Sequence, residues 1–319
     1  MTRHQLAARG AALLAALFLA LAAAAPAADG GERSTLAPLA VHSLLLDAAD
    51  RDGLAIAVGE RGHVLVSRDG GATWEQVAVP TRAMLTGVSL REGGLAWAVG
   101  HDETILRSRD GGATWELVHS APEEERPLLD VWFADAETGF AVGAYGLLLV
   151  TRDGGTTWEP GVVAEDSDFH LNQIAASGDS LYLAAEAGHL YRSDDEGGTW
   201  TPLPSPYDGS FFGVLPLGDG ALLAHGLRGN LFRSEDKGAS WSEIPTGSEA
   251  TLTAGRELPE GRVVIAGLAG ALLWSDDGGR TFRGHELPDR KATMALLPAG
   301  DGSLVLLGEG GVRRAELPR

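Results

Sequence analysis

The chain has 319 residues, with 44 acidic side chains against 25 lysines and arginines, a formal charge of −19 and no cysteine. That balance opposes nucleic acid and anionic lipid head groups as partners. The missing thiols exclude disulfides, thiolate metal sites and lipid attachment through a lipobox.

Residues 1–28 read as a secretory signal. A basic start (Arg3, Arg9) leads into an apolar run from Ala11 to Ala25, at about 15 residues too short to span a bilayer comfortably. Ala25-Pro26-Ala27 supplies small residues for cleavage after Ala27 or Ala28, and the chain turns polar at Asp29. Cleavage would leave residues 29–319 as one soluble, monomeric domain with no membrane insertion. Its compartment would be a periplasm or, in a photosynthetic host, a thylakoid lumen. An uncleaved anchor is the other reading of the same run. Removing Arg3 and Arg9 takes the charge to about −21, which favours a basic partner surface or serves solubility alone.

From Ser67 onward one phrase recurs: SRDGGATW, SRDGGATW, TRDGGTTW, SDDEGGTW, SEDKGASW and SDDGGRTF. Its aspartates are Asp69, Asp110, Asp153, Asp195, Asp236 and Asp277, at steps of 41, 43, 42, 41 and 41. A period near 42 with several short apolar runs per unit predicts a β-propeller, one four-stranded blade per repeat. The third unit shows the runs plainly: LLDVWF (128–133), GFAVGAY (139–145), LLLVT (147–151) and TWEPGVV (157–163). They are labelled A to D from the centre of the ring outward. The phrase is then the C–D turn. Its glycines permit positive φ, its aspartate accepts N–H groups across its own turn, and its terminal aromatic opens strand D against the apolar layer between sheets.

Two glycine frames mark the B–C turns. One lies five residues before five of the six phrases (Gly62, Gly146, Gly188, Gly229, Gly270) and one lies eight before five of them (Gly59, Gly100, Gly143, Gly226, Gly267). The pair recurs as Gly308 and Gly311 without a phrase behind it, so a seventh blade of strands A to C spans about Lys291 to Arg314. The segment Ser34–Val41 precedes the first A strand as each D strand precedes the next. It is expected to complete blade seven and close the ring, removing exposed sheet edges. Six blades with a C-terminal tail is the rival architecture.

The phrase resembles the Asp-box, or BNR repeat, of sialidases, sortilin-type receptors, some glucanases and the photosystem II assembly and stability factors of the Ycf48/HCF136 type. The chain looks most like the last group, through its six consecutive boxes and the VGxxG turn before nearly every box (Val58 to Gly62, Val142 to Gly146). The resemblance covers essentially the whole chain after the signal. It implies a seven-bladed, non-catalytic factor that assists assembly of membrane complexes. The arginine-rich patch of the photosynthetic members has no counterpart here. Arginines instead recur at repeat-equivalent places such as Arg68, Arg109 and Arg152, or Arg107, Arg192 and Arg233. A related scaffold role on other envelope proteins is the transfer that remains.

Catalytic and metal chemistry find little support. The alternative is a sialidase-like or other carbohydrate-binding or glycoside hydrolase propeller. Sialidase chemistry, as the resemblance implies it, would need three arginines, a Tyr/Glu nucleophile pair and an aspartic acid/base, and the Arg-Ile-Pro signature is absent. Tyr182 and Tyr191 fall in strand runs. His63 and His189 share a repeat position on nearly opposite blades, and the box lacks the dense oxygen ligands of a calcium loop. Trp74, Trp115, Trp158, Trp200 and Trp241 end boxes and read as core. No cofactor or metal is expected.

The loops of the D–A and B–C face supply the candidate site. His101 and Asp102 lie in one B–C turn, Glu123, Glu124 and Glu125 in the blade 2–3 loop, Tyr145 in another B–C turn, Asp166, Asp168 and Phe169 in the blade 3–4 loop, then Tyr207 and Phe211. An acidic arc with aromatic elements suits docking of a basic, partly apolar segment of an envelope membrane protein or complex. Solvation of the face explains the same charges without a partner.

Overall fold

The computed structural model describes residues 32–165 and 167–317; the expected signal segment and Asp166 lie outside them. Among the described residues the regular structure is strand and short 3-10 turn, with no α-helix. Seven antiparallel sheets follow one another along the chain, six of four strands and the last of three. Blade one runs Leu45–Arg51, Leu54–Gly59, Val64–Ser67 and Glu75–Val77 as strands A to D, paired in that order. Strands Thr293–Pro298, Leu304–Gly308 and Gly311–Ala315 form the last sheet, against the A strand of blade one. The fold is a seven-bladed all-β propeller, and the six-bladed alternative falls.

Strand B explains why the blades pack. Its residues are buried on both faces, so it reads as a continuous apolar run rather than an alternating one. In blade one Ile56 and Val58 enter the cluster shared with blade two, while Ala55 and Ala57 enter the cluster shared with blade seven. Larger side chains on one face and alanines on the other let neighbouring sheets interdigitate. All five box tryptophans join such inter-blade clusters, as expected from the sequence. Tyr182 and Tyr191 are buried in strands B and C of blade four.

Each box closes on itself through the same bonds. In the first, Ser67 Oγ donates to Asp69 Oδ1 (2.8 Å) and accepts from Gly71 N (2.8 Å). Asp69 Oδ1 accepts from Thr73 N and Oδ2 from the Thr73 hydroxyl, at 2.9 and 2.6 Å. The glycine four residues after the box Ser or Thr also touches the preceding blade. At Gly197 φ is 79°, and a β-carbon would run into the Phe140 ring of blade three. The boxes therefore stitch turn to ring as well as strand to strand. They lie beside the A–B turns, to which they are bonded (Gly70 N to Gly53 O, Gly111 N to Gly94 O, both 2.9 Å). The D–A and B–C loops bond to each other at the other ends of the strands (Gly146 N to Phe169 O, 3.0 Å; Leu268 N to Thr251 O, 2.9 Å).

Two expectations about strand D need correction. It is shorter than the apolar runs suggested: two residues in blades three, four and five (Glu159–Pro160, Thr201–Pro202 and Ser242–Glu243), although in blade three Gly161 N still donates to Leu148 O beyond Pro160 (2.8 Å). In blade seven it is not formed. The N-terminal segment does arrive there, since the Val41 carbonyl lies against Gly311 where those of Thr81, Ser167, Tyr207 and Ser248 lie against Gly62, Gly146, Gly188 and Gly229. Ala40 is buried in the cluster between blades seven and one. The residues before it turn to blade one instead. Ser34 N donates to Val79 O and Val79 N to Ser34 Oγ (both 2.9 Å), and Ala37 N donates to Gln76 Oε1 (2.7 Å). A side-chain amide that both gives and takes, together with Pro38, draws the segment off the ladder. The N-terminus closes the ring as a strap across the seam, not as a fourth strand.

Candidate docking face and bore

Blade two departs from the repeat at one position, and that departure builds the acidic loop. Where the six other blades place a glycine under the incoming loop, blade two has Glu103, at φ 48° and 3% exposed. Left-handed backbone without glycine costs about 1 kcal/mol. Here it coincides with a set of polar contacts. Arg126 donates to Glu103 Oε1 through Nε (2.9 Å) and Nη2 (2.7 Å), His119 Nε2 lies 3.4 Å from Oε2, and Glu103 N donates to Arg126 O. Ala121 N donates to the Asp102 carbonyl (2.8 Å), joining the loop to the turn that bears His101 and Asp102. Pro122–Glu124 then make a 3-10 turn with Glu125 left-handed, and Glu123, Glu124 and Glu125 all stand exposed. The sequence signal for this clamp was the one missing glycine in an otherwise regular frame.

The aromatic part gathers on blades three and four. Tyr145, 58% exposed at the tip of its turn, meets the His170 ring edge-on at 5.1 Å. Phe169 stacks on His189 at 4.2 Å, and His170 Nδ1 lies 3.5 Å from Glu186 Oε1. Asp168 is exposed beside them. His189, read from sequence only as an isolated histidine, is part of this cluster. Tyr207 is half-buried on Phe232 and Phe211. Phe211 does not belong to the surface. It opens strand A of blade five at the position of Leu45, Leu85 and Leu128, and like them is fully buried between blades. Its neighbour Phe212 faces the bore instead.

Two of the recurring arginines are structural, while Arg68, Arg109 and Arg152 stand exposed. Arg107 and Arg233, both nearly buried, donate to the box carbonyls of the next blade, Gly154 O (2.8 Å) and Gly278 O (3.3 Å). Among the described residues no cluster of three or more potential metal ligands occurs.

A cavity of about 530 Å³ opens at the mouth of the bore on the loop face, as its lining residues Thr251 and Leu268 show. Each A strand carries a bulge near its start, which turns successive residues inward. In blades one and three these include Asp47 and Asp130. Asp47 Oδ2 accepts from Val88 N (2.8 Å) and Asp130 Oδ2 from Ile174 N (3.0 Å), each reaching the next blade's A strand. Gly87 lies between them, its backbone close against that of Asp130. Burial pushes both carboxyls well above the ordinary range, and for Asp130 the charge of Asp47 adds to it. Both were missed from sequence, although the same tripeptide, Leu-Leu-Asp, ends at each of them.

Comparison with known proteins agrees with this architecture. Residues 36–123 and 119–252 match the family described as photosynthesis system II assembly factor YCF48. The chain belongs to this family. Among solved structures, one described as YCF48 bound to D1 peptide is 21% identical over 90% of this chain and 97% of its own, with a TM-score of 0.70. YCF48 from Cyanidioschyzon merolae is 21% identical over 88% and 96%, at 0.69. The WD40 propeller domain of Doa1 is 12% identical over 89% and 95%, at 0.68, a likeness of fold alone. No curated protein matches. The family's fold is thus kept here, while the loop face carries glutamates on a clamp that this chain's own Glu103 builds.

Proposed function

We propose that the protein is a non-catalytic assembly or stability factor working outside the cytoplasm, in a periplasm or a thylakoid lumen. Residues 1–28 direct export, and the propeller that follows holds a basic, partly apolar segment of an envelope membrane protein on its D–A and B–C loops. The observation that carries this reading is the Glu103–Arg126 clamp, which fixes three exposed glutamates on the same face as the Tyr145, Phe169, His170 and His189 cluster. Fixed charge beside aromatic surface gives both steering and a desolvated anchor. Family membership and the peptide-bound relative support a protein partner over a small substrate. The glycan alternative has less to stand on, since a single arginine, Arg256, lines the bore cavity and it is paired with Asp50.

In-cell crosslinking of the tagged protein tests this. A membrane-protein partner should be captured by the native chain, and capture should fall by about tenfold or more when Glu123, Glu124 and Glu125 are all changed to lysine. Undiminished capture by that variant would remove the acidic loop from the site. Capture of no protein at all would overturn the scaffold reading.

A further inference from the structure

We propose that the mouth of the bore is a socket for one basic side chain, a lysine or arginine projecting from the segment that docks on the loop face. The inference rests on the docking reading above and adds a defined anchor to it.

The order of residues along the A strands sets the depth of the socket. These strands enter the bore from the D–A loops, so the half-exposed Leu46, Leu129, Phe212 and Met294 come first and form an apolar collar. Asp47 and Asp130 follow one residue deeper on the strands of Leu46 and Leu129, in the same cavity. An apolar collar above two carboxyls complements a long aliphatic stem that ends in a cation. A purely anionic or purely apolar ligand would waste one half of that lining.

Four of the remaining polar side chains of the mouth are already engaged. Thr86 donates to Leu128 O (2.7 Å), Asn172 to Phe211 O (2.8 Å) and Thr253 to Thr293 O (2.5 Å), each a bond to the following blade. Gln173 Oε1 accepts from Val214 N at 2.7 Å. Of the charged groups facing the cavity, Arg256 is held by Asp50 at 2.5 Å. The carboxyls of Asp47 and Asp130 therefore have backbone N–H donors and one cation already shared with Asp50. A carboxylate offers about four acceptor sites, so the pair can still take an ammonium or guanidinium. The burial and mutual repulsion that raise both carboxyls would be offset by such a cation. On its entry the carboxyl O–H bond breaks, the proton passes to solvent, and a charge-assisted hydrogen bond forms in its place.

The test uses the full propeller and the model peptide acetyl-Gly-Leu-Lys-Leu-Gly-amide, with a partner peptide in which norleucine replaces lysine. Norleucine keeps the stem and deletes the charge. The lysine peptide should bind about tenfold more tightly, the size expected for one charge-assisted contact. Asp47→Asn with Asp130→Asn should abolish that preference; asparagine still accepts from Val88 and Ile174 but gives up the Val131 N–H at Asp130, so circular dichroism of the double variant checks that the fold is kept. Calorimetry of the native protein near pH 6.5, in two buffers of different ionisation heat, should show release of up to about one proton per bound lysine peptide. Equal affinity for both peptides, or an unchanged preference in the double variant, overturns the socket. The in-cell experiment keeps the two readings apart. Capture that survives the bore substitutions but is lost in the Glu123–Glu125 variant overturns the socket and leaves the docking face. Capture lost only with the bore substitutions does the reverse.

Discussion

The aspartates of the boxes and those of the bore are the same side chain in opposite surroundings. At Asp69 the Thr73 hydroxyl and N–H, with Ser67, hold the carboxyl down at about 2; the N–H groups of Thr157 and Thr199 lead in doing the same for Asp153 and Asp195. These groups are exposed, so several donors act on the charge with little desolvation against them. Asp47 and Asp130 also accept backbone N–H bonds, yet burial outweighs those donors and their charges oppose each other. The box carboxylates collect hydroxyl as well as N–H donors in the open, whereas the bore carboxyls have fewer donors and are buried; the two differences together set the sign. The boxes use a charge to fix a turn, whereas the bore stores an unmet demand for one.

The largest expected effect tests the box half of that contrast. Ser108→Ala removes the buried hydroxyl that accepts from Gly112 N at 2.9 Å and donates to Asp110. Leaving that N–H unpaired should cost about 2 kcal/mol in urea unfolding. A loss under about 0.5 kcal/mol would mean the box is decoration on a turn that glycine alone maintains.

The bore half predicts a pH dependence of the opposite kind. The folded pKa values rise from 3.8 to about 7 for Asp47 and about 8 for Asp130. Their contribution to stability is therefore fully present below about pH 4 and is lost as pH climbs toward 8. Asp130→Asn should raise stability at pH 8 by about 1 kcal/mol and leave it unchanged at pH 4. An equal effect at both values would show that Asp130 does not titrate in this range. The last expectation is for acid: as pH falls from about 4 to about 2 the unfolded chain takes up protons before the boxes do, so stability should fall. Stability that stays flat over that interval would mean that the box carboxyls titrate as ordinary ones, and the contrast would end.

Much of the molecule could be read from the chain because it repeats. Blade number, the C–D location of the boxes, the buried tryptophans and the loop face all follow from spacings that six or seven copies average. What was misread or missed involves single copies. Phe211 looked like part of an aromatic surface, but its place at the start of an A strand sends it between blades. Glu103 is informative only as an exception to a glycine frame, and Ser34–Ala37 left the expected ladder for the Gln76 amide of blade one. Asp47 and Asp130 sit 83 positions apart, and nothing local says that a bulge turns both into one cavity.

The sequence by itself determined the propeller, since each repeat carries its own turn chemistry and apolar runs and needs only identical neighbours to pack against. The tertiary structure decided which exceptions meet: a clamp under the acidic loop, an aromatic cluster from two blades, and two carboxyls facing one bore. Local bonds can be written into a stretch of eight residues. Burial and the interaction of distant charges exist only once the ring has closed.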